Sequence, residues 1–307
     1  MTHAVSRPAP VALFAYRRPE HLRMTVESLR ANPEARDTQL TVFCDAARTT
    51  EHEDAVAAVH AYADAITGFA AVTVVKRERN LGLAGSIIDG VTRLTEAQGR
   101  VIAVEDDLLL SPHFLRYMND GLALYEGDAQ VASIHGYCYP VAEPLPETFF
   151  LRGADCWGWG TWRRAWSRFQ PDGASLLTAL QAQGLTRAFD LDGEYGFSRM
   201  LRDQIAGRND SWAVRWHASC YLDGLLTLYP GRSLVHNTGN DASGTHGGLR
   251  TDYAQAVATS PVHVERLPLE ASEAARQAFV RFFREGRSSP MRRAAQAVRR
   301  VFGGAGQ

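Results

Sequence analysis

The chain opens with a short unbroken apolar run, Val11-Ala-Leu-Phe-Ala15, the pattern of a strand buried on both faces. Pro19 then starts a helical period in which Leu22, Val26 and Leu29 fall on one side. The two patterns repeat. Leu40–Cys44 reads as a second strand ending at Asp45, Glu51–Ile66 as an Ala-rich helix, and Val72–Val75 as a third strand. Asn80-Leu-Gly-Leu-Ala-Gly-Ser86 is a loop leading into a helix that reaches about Ala97. Val101–Val104 is a fourth strand running straight into Glu105-Asp106-Asp107, and Pro112 begins a helix ending near Glu126-Gly127. Strands alternating with helices predict an α/β fold, Rossmann-like and doubly wound around a mainly parallel sheet. Such sheets bind ligands beyond the carboxyl ends of their strands, where Arg17, Arg18, Asp45 and the acidic triplet all fall.

After about Val131 the texture changes. The segments shorten, with strand-like Val131–Ile134 and Thr148–Leu151, and all six tryptophans lie between Trp157 and Trp216. This predicts a smaller mixed C-terminal part laid over the first. No Pro/Gly/Ser linker separates the halves, so residues 1–285 read as one domain, divided at about 8–130 and 131–260, followed by an Arg-rich tail at 286–307.

Composition narrows the picture. With 45% hydrophobic and 22% charged residues, the 307-residue chain is an ordinary globular one. The charges nearly cancel, 33 Lys+Arg against 34 Asp+Glu, which argues against a nucleic-acid binder working by broad phosphate neutralisation. Cys44, Cys138, Cys156 and Cys220 show no paired spacing, so neither a zinc ribbon nor a disulfide framework is expected. The first apolar run is too short for a secretory signal, and no stretch approaches the roughly 20 apolar residues of a membrane span. A cytoplasmic location is the expectation.

Three adjacent carboxylates at the end of an apolar strand repel one another and are costly to desolvate. Either Glu105-Asp106-Asp107 forms a solvated turn, or a divalent cation resolves the conflict; Mg²⁺ and Mn²⁺ favour one or two carboxylates plus substrate phosphates. The position directly behind a parallel strand favours the cation. Asp45, in the same position after the second strand, is either a turn residue or an acceptor for a base or ribose hydroxyl. Arg17 and Arg18 offer planar forks for phosphate or for stacking on a base, and otherwise read as solvated surface. Gly82, after Asn80 and Leu81, permits close approach of backbone to a ligand.

Taken in order, LFAYRRPEHLRMTVESL, TVFCDA, RNLGLAGSI, VIAVEDD, CWGWGTW, NDSWAVRW and LYPGRSLVHNTGNDASGTH resemble the GT-A-fold glycosyltransferases. The likeness is to the group holding bacterial family-2-like enzymes and the N-acetylglucosaminyltransferases of complex N-glycans, over about residues 10 to 250. The resemblance implies a metal-dependent, inverting hexosyl- or N-acetylhexosaminyltransferase that moves a sugar from a UDP-linked donor to a glycan or lipid-linked acceptor. It places the work in bacterial surface polysaccharide assembly. Residues 8–130 then become the donor half and 131–260 the acceptor half. The triplet becomes the DxD-type motif, with Asp107 as ligand of Mn²⁺ or Mg²⁺. Asp106 and Glu105 lie at the donor, and Ala15, Tyr16, Arg17, Arg18, Asp45, Asn80 and Gly82 hold the nucleotide. Position 17 departs from the family, which carries Asn or Asp there. A sugar-nucleotide pyrophosphorylase and a non-catalytic glycan-binding module are the alternatives. Val11–Arg30 lacks the glycines of the first, and the intact triplet speaks against the second.

An inverting transferase needs a carboxylate to take the acceptor proton, and Asp210 resembles that position; it equally fits a helix N-cap before Ser211-Trp212. Glu194 and Asp155 are weaker rivals. Trp157-Gly-Trp159 suits an exposed edge, so Trp157 and Trp159, with Trp212, are expected at the acceptor; Trp162 and Trp166, four apart on a helix, read as core. His236 and His246 lie in a Gly/Asn/Ser-rich run expected to close over bound donor, with His246 the candidate second metal ligand. In the tail, Met291, Ala294, Ala295, Val298, Val301 and Phe302 oppose Arg292, Arg293, Arg299 and Arg300 on a helical period. That pattern fits either a peripheral membrane contact or a solvated or docked helix.

Overall fold

The structure is a computed structural model that describes residues 7–239 and 253–288. In chain order it contains β1 (Val11–Ala15), α1 (Pro19–Arg30), β2 (Gln39–Cys44), α2 (Glu53–Asp64), β3 (Ala71–Lys76), α3 (Gly82–Gln98), β4 (Arg100–Glu105), β5 (Leu108–Leu110) and α4 (Phe114–Leu124). There follow β6 (Val131–His135), β7 (Thr148–Arg152), β8 (Trp159–Trp162), α5 (Arg163–Trp166), α6 (Gly173–Ala182), α7 (Thr186–Phe189) and α8 (Phe197–Ile205). The last elements are α9 (Trp212–Leu222), β9 (Leu226–Pro230), β10 (Val235–Asn237) and α10 (Glu273–Ser288).

Eight strands form one sheet in the order β3-β2-β1-β4-β8-β6-β9-β7. The first four run parallel, as the alternating pattern predicts. The strand order turns back between β1 and β4, so the ends of these two strands flank a topological switch point. The expected C-terminal part is mixed, and it extends the same sheet: β8 is antiparallel to both β4 and β6, β9 parallel to β6, and β7 antiparallel to β9.

Both faces of the sheet are covered, which is why β1 and β4 read as apolar runs rather than alternations. Val11, Leu13, Ile102 and Val104 share one core with Leu22, Val26 and Leu29 of α1 and with Leu115, Met118 and Leu122 of α4. Ala12, Phe14, Val101 and Ala103 face the opposite core with Ile87 and Val91 of α3. Gly90 of α3 permits this packing, because a Cβ there would stand 2.6 Å from the Phe14 ring.

Three expectations are corrected. Trp157-Gly-Trp159 does not mark an exposed edge: β8 lies mid-sheet, and Trp159 is 1% exposed. Trp162 closes β8 rather than lying on the helix with Trp166, although both are core as expected. His236 sits in β10, paired across from Leu109 of β5, not in a loose run. His246 and the tail from residue 289 lie outside the described residues. Among the described residues no helix is long and apolar enough to cross a membrane.

Candidate functional site

The ends of β1 and β4 bring Tyr16, Arg18, Asp106 and Asp107 together. Period-two alternation splits the acidic triplet: Val104 faces α1, so Glu105 falls on the α3 face and Asp106 returns toward α1. There Thr25 of α1 donates its hydroxyl to the Asp106 carbonyl at 2.8 Å. The Asp106 carboxylate accepts from the Tyr16 backbone N–H at 3.0 Å and from the Arg18 guanidinium. The same Arg18 Nη2 reaches Asp107 Oδ2 at 3.1 Å. Arg17 makes the turn between them with φ +38°, a left-handed conformation uncommon outside glycine that clusters at functional sites.

Two atoms of this ion-pair cluster have no partner among the described residues: Arg18 Nη1 and Asp107 Oδ1, both inaccessible to solvent. One is a buried cationic donor and the other a buried anionic acceptor. Buried polar groups are otherwise hydrogen-bonded, so an unmatched pair of opposite sign calls for a ligand carrying both signs. Gly239 roofs the pair. A Cβ at that position would fall 2.1 Å from Asp107 Oδ2 and 3.2 Å from Arg18 Nη1. Thr238 fixes the underlying loop, its N–H and hydroxyl both donating to the Asp107 carbonyl at 2.8 and 2.9 Å. The β5–β10 pairing carries Thr238 and Gly239 to this point.

The electrostatics agree with the geometry. Burial pushes Glu105 up to about 8, and the charges of Asp107 and Asp106 add to it. Burial likewise pushes Asp106 up to about 7; Arg18 and the Tyr16 N–H work against the rise, and the Asp107 charge works with it. Among the described residues no three metal-ligating side chains converge. The donor set is therefore one free carboxylate oxygen beside an arginine. It fits a Mg²⁺ or Mn²⁺ ion that takes one protein carboxylate and completes its shell from phosphate and water.

Farther along the strand ends, Asp45 is engaged internally. Its carboxylate accepts from the backbone N–H groups of Ala46 at 3.0 Å, Leu81 at 2.9 Å and Gly82 at 2.9 Å. Asp45 thus clamps the loop that opens α3, and Asn80 supports it by donating to the Ala46 carbonyl at 2.7 Å. Gly82 sits at φ +69° with open space where a Cβ would stand, so glycine serves the turn there. Tyr16 lies against the segment that follows β2, its hydroxyl 2.8 Å from His52 Nδ1 and accepting from Arg48 N–H at 3.2 Å. Ala15 is buried backbone at the end of β1.

The expected acceptor residues separate. Trp159 stacks on Trp212 at 5.3 Å and packs against Trp166 and Trp216, and at 1% and 3% exposure neither Trp159 nor Trp212 offers an open ring face. Their expected acceptor contact is corrected to a tryptophan core under α9. Trp157 is half-buried and meets Tyr137 and Tyr253 edge-on. Asp210 is largely exposed and ion-paired with the buried Arg215 guanidinium at 2.8 Å. The N-cap of α9 is Ser211, whose hydroxyl accepts from Val214 N–H, so the capping role expected for Asp210 belongs to its neighbour. Glu194, the other rival, pairs with Arg284 at 2.9 Å.

Sequence reasoning missed Thr25, Thr238 and Gly239. The first is one polar residue on an apolar helix face, and the other two reach Asp107 from more than 130 residues away. A cavity of about 340 Å³ also lies between β2, β3 and α3. Its wall carries a single charged side chain, Arg93, and nothing that pairs an acid with a base.

No family model matches the chain, and no curated protein does. Among solved structures it is similar to TarS of S. aureus, 12% identical, over 75% of this chain and 36% of that one, with a TM-score of 0.41. It is also similar to TarS 1-349, 11% identical over 76% and 60% of the two chains at 0.39. A third likeness is to glucosyl-3-phosphoglycerate synthase from Mycobacterium tuberculosis in complex with Mn²⁺, UDP and glucosyl-3-phosphoglycerate. It is 15% identical over 59% and 67% of the two chains at 0.35. The chain thus spans about a third of the first of these proteins.

Proposed function

We propose that the protein is a divalent-metal-dependent, inverting glycosyltransferase that takes a sugar from a UDP-linked donor to a glycan or glycolipid acceptor. The observation that carries this reading is the unmatched pair Arg18 Nη1 and Asp107 Oδ1 at the switch point. A metal–diphosphate is a ligand of mixed sign, and each of its halves has a partner in the pair. Asp107, with its free oxygen, would hold Mn²⁺ or Mg²⁺. Arg18 would donate Nη1 to a diphosphate oxygen while Nη2 stays on Asp106. When bound, the ion would act as a Lewis acid on the leaving diphosphate.

The rest of the chain's part is positioning. Asp106 holds Arg18 in place and is itself held by the Tyr16 N–H. Asp45 keeps the loop at Asn80 and Gly82 shaped for the nucleoside, with Tyr16 and Arg17 bordering the same cleft. The setting we propose, surface polysaccharide assembly at the cytoplasmic face of a membrane, rests on the sequence resemblance and on the basic, amphipathic pattern of residues 291–302. The test is a panel of nucleotide sugars assayed with Mn²⁺ for slow donor hydrolysis, which needs no acceptor. Release of UDP from at least one UDP-sugar is expected. Release from none, with UDP itself failing to bind, would refute the proposal.

A further inference from the structure

Asp155 combines features that no other acid among the described residues combines. The antiparallel register of β4 with β8 sets Ala103 against Trp159. Asp155 lies four residues before Trp159 and Asp107 four residues after Ala103, so both acids leave the same end of the β4–β8 pair, with Gly158 at φ +64° turning the chain between Asp155 and β8. The electrostatics of the intervening thiol agree: Cys156 is pushed up first by burial and then by the charges of Asp155, Glu105 and Asp107. Asp155 therefore borders the metal-diphosphate corner from the acceptor half of the sheet.

Its surroundings are those of a carboxylate waiting for a hydroxyl. Asp155 is half-buried; Oδ1 accepts from the Cys156 N–H at 2.8 Å, and Oδ2 has only a long 3.4 Å contact from the Tyr139 hydroxyl. No cation within salt-bridge distance neutralises it among the described residues. Trp157, two residues on, is half-buried and meets Tyr137 and Tyr253 at interplanar angles of 74° and 68°. An aromatic face beside an unpaired carboxylate suits a sugar, with apolar C–H atoms on the ring and hydroxyls on the acid. Asp210 differs on each count. Its side chain is 72% exposed and tied to the Arg215 guanidinium at 2.8 Å.

We propose that Asp155 is the catalytic residue that takes the proton from the attacking acceptor hydroxyl, with Trp157 as the ring on which the acceptor sugar lies. The step balances on the chain's own groups. The acceptor oxygen forms its bond to the anomeric carbon as its proton passes to Asp155, and the anomeric C–O bond breaks with its electron pair leaving on the nucleoside diphosphate. This assignment rests on the sugar-transfer reading above, and its test separates the two. Hydrolysis of UDP-glucose and UDP-N-acetylglucosamine with Mn²⁺, water standing in for the acceptor, is compared with the Mn²⁺-dependent thermal shift given by UDP. Asp155→Asn is expected to lose about a hundredfold or more in hydrolysis while keeping the UDP shift, which also reports that the variant folds. Asp155→Glu, which retains the base, recovers part of the rate, and Asp210→Asn stays within about threefold of the parent. Asp155→Asn hydrolysing at the parental rate, or Asp210→Asn falling as far, overturns the assignment. A parental protein with no Mn²⁺-dependent UDP shift overturns instead the reading on which it rests.

Discussion

The two halves of the sheet use burial for opposite ends. On the β8 side, Trp159, Trp166, Trp212 and Trp216 cover one another, and their exposure does not exceed 5%. On the β1–β4 side, packing buries Asp106 and half-buries Arg18 and Asp107, yet two inaccessible polar atoms of this cluster stay unmatched among the described residues. The first arrangement is complete without a ligand. The second is not. Residue type alone does not reveal this difference, since aromatic rings pass for ligand platforms and acidic turns pass for solvated loops.

The comparison can be broken most forcefully from the aromatic side. Trp159→Ala should cost about 3–5 kcal/mol of stability, measured by denaturant unfolding, because the cavity is walled by three other indoles that collapse poorly. A loss below about 1 kcal/mol would show a looser core than the packing implies.

A second effect concerns pH. Burial lowers His217 to about 4, with the Ala154 hydrogen bond and the Asp155 charge opposing it. Between that value and the ordinary range near 6.5 the unfolded chain binds a proton that the folded chain refuses, so stability falls as pH drops from about 6.5 to about 4, by about 3 kcal/mol at most. His217→Asn should flatten that acid limb in thermal melts; an unchanged slope would exclude the ring as its source.

Glu105 carries the opposite sign. Its folded pKa is raised, so metal-free stability is full below the unfolded value near 4 and is lost as pH rises through about 8. Glu105→Gln should therefore melt at the parental temperature near pH 4 and above it at pH 8, by at least about 1 kcal/mol. Equal melting temperatures at pH 8 would mean that the carboxylate is solvated.

The smallest effect lies at the roof. Gly239→Ala must displace the Asp107 carboxylate, since the added Cβ would stand 2.1 Å from Oδ2, whereas Thr238→Val removes only one of two donors to the Asp107 carbonyl. Titration of UDP in Mn²⁺ should rank affinity as parent, then Thr238→Val by about threefold, then Gly239→Ala by about tenfold or more. The reverse order would detach the roof from the site.

Much of this was legible in the chain because it is local. β1, α1, β2, β3, α3 and β4 each announce themselves within a dozen or so residues, by an apolar run or a helical period whose apolar side chains the packing then covers. The switch point, and with it Arg18 and the acids, follows from that order. What was not legible is non-local. Leu108–Leu110 is too short to read as a strand, and its partner Val235–Asn237 lies well over a hundred residues on. Trp157-Gly-Trp159 misled because glycine among tryptophans suggests openness. In the fold Gly158 and Gly160 instead let Phe114, Val235 and Leu122 close against β8.

That the inaccessible Nη1 of Arg18 and Oδ1 of Asp107 wait for a metal and a diphosphate together is tested most directly by melting the protein with UDP in Mn²⁺ and again in excess chelator. At a UDP concentration about a hundred times its Kd, the account predicts roughly 2.7 kcal/mol of added stability with the metal, most of it gone with chelator or in Asp107→Ala. The same stabilisation with and without metal, undiminished in Asp107→Ala, would contradict it.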